Sequence, residues 1–212
     1  MPDQKCIDNT MMRVYLDTIQ NIMGPQGLNS MLNYGHLEKY INNFPPDDDQ
    51  LKIPREDLRR LHQSLIDLFG EKGARGILMR IGREMTFTWL EKRPAVVKSM
   101  KYAMRLLPEI KQMQLSMERF VEESEKRIPS LKGSSHLELK EDKDYFLLID
   151  DDSYTSEGIT SENPICYVYV GNLETSLEWI TGHAHEVEEI QCRARGDSAD
   201  VFRIWKKRAT DQ

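Results

Sequence analysis

Cys166, Glu189, Cys192 and Asp200 follow the pattern Cys-x22-Glu-x2-Cys-x7-Asp. Thiolates, carboxylates and imidazoles are zinc's usual donors, and a structural site takes four of them in a tetrahedron. Cys192 stands just before the bend of a segment, 186–204, that reads as two short strands joined at Gly196-Asp197. The competing reading makes Cys166 and Cys192 small buried apolar residues. Glu189 and Cys192 lie an odd number of residues apart, so a regular strand would point them to opposite faces. Val187 marks one phase of alternation, while Ile190, Cys192 and Ala194 mark the other. A bulge between the two phases would bring both side chains to one side.

A second set has spacing suited to binding. Met100, Met104, Met113 and Met117 recur at helical intervals, with Tyr102 and Phe120 nearby. Methionine adapts to irregular apolar ligands, so the stripe is either the lining of a pocket or plain core. His183 and His185 share one face of a strand, a spacing open to metal ligation, but an exposed strand end is the preferred reading. The acidic triplets at 47–49 and 150–152 lack calcium-loop spacing and read as solvated turns. No phosphate loop, GxGxxG, GxSxG or HExxH motif is present, so no catalytic template and no nucleotide cofactor is expected.

These side chains need a scaffold. Met12, Tyr15, Ile19 and Ile22 predict a helix over 8–23, stopped by Gly24-Pro25. A second begins near Pro54 with the stripe Leu58, Leu61, Leu65 and Leu68, and Gly70 ends it. A third runs over 74–92, where Gly76 and Gly82 cost stability unless another backbone packs closely. The segment 95–127 is the longest periodic stretch, and Pro108 kinks or divides it. The period then changes. Leu137 and Leu139 alternate with polar residues, and a charged turn leads into the continuous apolar run 145–149, a hairpin. Pro164 opens a helix that Gly182 closes, and strands near 184–194 and 200–206 finish the chain. The expected class is α+β: N-terminal helices followed by a four-stranded antiparallel sheet with one crossing helix.

Composition narrows the functions. The chain of 212 residues is 39% hydrophobic and 30% charged, enough for a sizeable core. A net charge of -6 argues against general nucleic-acid binding. No apolar run reaches the length of a membrane span. Three cysteines at uneven spacing form no disulfide framework, and with no leader evident the expected setting is a reducing cytoplasm.

Leu68-Phe-Gly-Glu-Lys-Gly73, the Gly76–Gly82 segment and the tail from Glu186 to Ile204 resemble the 4-vinyl reductase domain family. Glu189-x2-Cys192-Arg-Ala-Arg-Gly-Asp197 is the most diagnostic part. That resemblance implies a hydrocarbon-binding sensor domain whose fold is related to the ligand-binding domains of nitric-oxide sensing and Golgi tethering proteins. It implies residues 1–50 as a helical dimerisation region and 51–212 as the ligand-binding domain. It also implies zinc held by Cys166, Glu189 and Cys192, with Asp200 where the family places a third cysteine. A thiolate replaced by carboxylate weakens a sulfur-rich site. The expected ligand is a small hydrophobic or aromatic molecule, lined by Met100, Met104, Met113, Met117 and Phe120. The expected partners are a second copy of the chain and a separate signalling protein. The alternatives are a vinyl reductase-related protein of chlorophyll synthesis, for which no hydride-donor fingerprint is present, and a non-catalytic dimeric adaptor.

Overall fold

Gly24 and Gly70 each adopt a positive φ, 75° and 67°, that a side chain would strain. In the computed structural model, which describes residues 6–130 and 135–211, each breaks a long helix without ending it. Helix α1 spans Asn9–Tyr34 and resumes after Gly24 with Pro25, whose fixed φ suits a first helical turn. Helix α2 spans Arg55–Lys92 and changes direction at Gly70. The expected stops are therefore corners. The two stripes also end early: Ile22 and Leu68 are exposed, because the corner turns each last position away from the core.

Asp8 caps α1 by accepting the Met11 amide at 2.6 Å. Just before it, strand β1 (Cys6–Asp8) pairs antiparallel with β2 (Leu51–Pro54), Ile7 opposite Ile53. Residues on both sides of position 50 thus share one small sheet and one core. Pro108 divides the long periodic segment, as a missing backbone donor should, into α3 (Pro94–Met104) and α4 (Glu109–Arg127).

The remaining elements are strands β3 (Leu137–Glu141) and β4 (Tyr145–Asp150), helix α5 (Tyr167–Thr181), and strands β5 (His185–Gln191) and β6 (Asp200–Arg208). The four strands form an antiparallel sheet in the order β3-β4-β6-β5. Its register stacks Phe146, Ile204 and Val187 across three strands, with Leu148 opposite Phe202 beside them. All five side chains are buried. The run 145–149 alternates between buried and half-buried, so it has one core face where an unbroken apolar run suggested two. The β5–β6 register shifts between Glu189 and Gln191, which is the expected bulge.

Helix α5 crosses α2, and two glycines set the closeness of that crossing. A Cβ on Gly82 would stand 2.1 Å from the Val168 carbonyl oxygen, and one on Gly171 would stand 2.2 Å from that of Met79. Gly76, in the same helix, has nothing within 4 Å of its missing Cβ. Gly82→Ala or Gly171→Ala should therefore cost at least about 1–3 kcal/mol by forcing the backbones apart. Gly76→Ala should stabilise by roughly 0.5–1 kcal/mol through helix propensity alone. Urea unfolding of the three variants checks this contrast; similar values for Gly76 and Gly82 would refute the close crossing.

Candidate functional site

Beside the Gly82–Gly171 contact, α2, α4 and α5 come together around a cleft. The cleft between them has apolar walls from Met85 and Trp89 of α2, Phe120 of α4, and Val168 and Tyr169 of α5. Met11 and Tyr154 reach it from α1 and the loop after β4, and Met100 borders it from α3. Its volume is about 120 Å³. Thr86 ties the two long walls together: its hydroxyl donates to the Asn172 carbonyl at 3.2 Å and lies 3.2 Å from the Ser176 hydroxyl. A polar rim at the α4 side contains Arg119, Glu123 and Arg127.

Of the residues read from sequence as ligand-lining, Met100 and Phe120 border this cleft. Met113 and Met117 point into the core and are fully buried, while Met104 is half-buried at the end of α3. Sequence reasoning passed over Thr86, Tyr154 and Tyr169. Tyr154 sits in an acidic loop with no periodicity, and only its aromatic character could have drawn notice.

The floor of the cleft is aromatic and hydrogen-bonded. Tyr169 stacks on Phe202, with ring centroids 5.1 Å apart, and donates its hydroxyl to Asp150 at 2.7 Å. Burial pushes the Asp150 carboxyl up to about 7, against the lowering effect of that bond. The Tyr154 hydroxyl is 3.2 Å from that of Tyr15, which is 3.4 Å from Nδ1 of His62. His62 is completely buried, and the loss of solvent pulls its imidazole down to about 3.

Cys166, Glu189, Cys192 and Asp200 do converge: one ligand atom from each lies within 4.8 Å of the others, all buried. The β5 bulge supplies the convergence. Cys166 stands immediately before α5. Its amide donates to Glu189 at 2.8 Å, and its thiol donates to Asp200 at 3.3 Å. Asp200 also accepts from Ser156 at 2.6 Å and from the Arg193 amide at 2.7 Å. Burial dominates the Cys166 thiol and holds it well above its ordinary range. The Glu189 carboxyl is pushed up to about 9 for the same reason, while the bond from Cys166 draws Cys192 down to about 7. The cluster is a buried, hydrogen-bonded polar network.

Two polar groups depart from their sequence reading. The 150–152 turn is not solvated: Asp152 is buried against Arg55, whose guanidinium lies 3.2 Å away, and against Ser130 at 3.1 Å. His185 is not exposed either. Its ring stands between the Trp205 carbonyl oxygen, 3.1 Å from Nδ1, and Glu109, 3.2 Å from Nε2. Glu109 takes His183 and Arg208 as well, so α4 is pinned by its first residue to the end of the sheet.

No family model and no curated protein matches this chain. Solved structures do. An H-NOX family structure solved to probe haem distortion aligns over 96% of this chain and 97% of its own, at 17% identity and a TM-score of 0.61. An H-NOX protein from S. oneidensis in the Fe(II)NO ligation state aligns over 91% and 97%, at 13% identity and a TM-score of 0.55. An oxygen-binding H-NOX domain related to soluble guanylate cyclases, in its oxygen complex, aligns over 95% and 96%, at 16% identity and a TM-score of 0.53. The likeness at these identities is one of fold, and it agrees with the expected relation to nitric-oxide sensing domains.

The zinc expectation is corrected here. The structures that share the fold are described by haem and its gas ligands, and in this chain Cys166, Glu189 and Asp200 are tied up in hydrogen bonds with one another, with Ser156 and with the Arg193 amide. Haem does not fit the residues present either. Among the described residues no histidine and no cysteine borders the cleft, and the hydroxyls of Tyr154 and Tyr169 are engaged with Tyr15 and Asp150. A cavity of about 120 Å³ compares with the roughly 150 Å³ that holds benzene, far short of a porphyrin.

His62 beneath the floor gives a pH signature. The unfolded chain takes up its proton first, so stability is lost as pH falls from about 6.5 toward 3. His62→Leu removes that loss. Its stability relative to the parent should improve by up to roughly 1.4 kcal/mol per pH unit below 6.5. Urea unfolding at neutral and acidic pH measures the difference, and a gap that does not change with pH would contradict a buried neutral imidazole.

Proposed function

We propose that this chain is a small-molecule sensor domain whose ligand is an apolar or aromatic compound of about benzene's size. The carrying observation is the cleft itself: apolar walls from three helices, a stacked aromatic floor, and a volume of about 120 Å³. An apolar molecule is stabilised there by the surface it removes from water, at about 25 cal/mol per Å². Met85 and Met100 supply polarizable contact, and Phe120 and Tyr154 supply aromatic contact. The hydrocarbon-binding resemblance of the tail and the sensor fold of the structural neighbours support the same reading. Binding would be reported through α4, which lines the cleft and is fastened at Glu109 to the sheet. Output would pass to a separate protein.

Thermal unfolding with toluene or phenol as probes tests this. Saturating probe should raise the melting temperature of the parent, with a gain of about 2.7 kcal/mol at a hundredfold excess over Kd. Met100→Trp should occlude the cleft and abolish the rise while leaving the unliganded protein folded. Met117→Trp, by contrast, overpacks the core and should cost about 1–3 kcal/mol. A parent that no aromatic probe stabilises, and from which native extraction yields no small molecule, would refute the proposal.

A further inference from the structure

Between positions 93 and 108 the chain carries Arg93, Lys98, Lys101 and Arg105 and no acidic residue, although its net charge is -6. This segment contains α3, which is unlike the other long helices in burying none of its side chains. Val97, Met100, Met104 and Leu107 are half-buried toward the body. The opposite side is apolar and open. Tyr102 on the last turn is 75% exposed and Leu106 in the turn that follows is 82% exposed, while Val96, 44% exposed, lies on the flank away from the lysines. Lys98, Lys101 and Arg105 are also exposed, with Lys101 lying 5.2 Å over the Trp179 ring. Glu109, the next acidic residue, is held by Arg208 and the two histidines.

Basic side chains beside an outward apolar ridge, on a helix too short to cross a bilayer, describe an interfacial element. We propose that α3 docks on an anionic membrane surface, seating Tyr102 and Leu106 among the acyl-chain boundaries while Lys98, Lys101 and Arg105 meet acidic headgroups. Charge complementarity selects this occupant. Long basic stems can lie along the apolar surface and keep their charges at headgroup level. A tyrosine suits the same boundary, having an apolar ring and a polar tip. The helix could settle at little cost to the fold, since it contributes no fully buried residue to the core.

Co-sedimentation of the full chain with vesicles tests this, using phosphatidylcholine alone or mixed with phosphatidylserine. The parent should bind the mixed vesicles and not the neutral ones, and added salt should release it. Lys98→Ala and Arg105→Ala should each weaken binding about fivefold, the equivalent of about 1 kcal/mol for one basic residue near such a surface. The double variant Tyr102→Ser/Leu106→Ser should abolish binding, and circular dichroism should show both sets still folded. Absence of binding to mixed vesicles, or binding unaffected by these substitutions, overturns the proposal. So does light scattering that shows a Tyr102- and Leu106-dependent dimer, or capture by polyglutamate without vesicle binding, since either would assign the ridge to a protein partner.

Discussion

Everything that lines the cleft depends on two backbones touching where Gly82 meets Gly171. The missing side chains let α2 and α5 approach until carbonyl oxygens occupy the places where methyl groups would stand. Beside that contact lies the cleft, walled by Met85 and Trp89 on one side and by Val168 and Tyr169 on the other. Thr86, one turn beyond Gly82, then fixes how far the walls separate by bonding to Asn172. A side chain at either glycine would act on the cleft without belonging to it.

The periodic parts of this arrangement were legible in the residues. The hairpin, the crossing helix and the division at Pro108 follow from alternation, capping and a missing donor, all of which are local. The bulge was legible too, because two apolar phases in one strand cannot share a face without it. What escaped was long-range. Whether Gly24 and Gly70 end a helix or turn a corner depends on what the following segment packs against. Asp152 reads as a turn residue until Arg55, 97 positions earlier, is placed beside it. Met113 and Met117 have the same chemistry and spacing as Met100, and only the rotation of α4 decides which methionine meets the core and which side of the segment meets the cleft. Tyr154 lies in an irregular loop, where no pattern could announce it.

The fold is shared with domains described by haem, yet what a fold encloses is decided by side chains. Here the enclosed space is small, and no imidazole borders it among the described residues. The histidines that lie deepest serve other ends: His62 abuts two tyrosines, and His185 helps fasten α4 to the sheet. The Cys166 cluster works in a comparable way at the start of α5, where Glu189 satisfies an amide that the helix itself leaves without a partner. Polar contacts thus anchor the beginnings of α4 and α5, two of the three helices that flank the cleft, while its walls stay apolar.

The order β3-β4-β6-β5 leaves two open borders, and both are electrically guarded. Along β3 the outward positions are Glu138, Lys140 and Glu141, and along β5 they are Glu186 and Glu188. An incoming strand would have to lay its own charges against these and strip their water to reach the unpaired amides. Growth of the sheet by a neighbouring molecule is thereby discouraged at each rim, because charge takes the place of the apolar side chains that a joining strand would need.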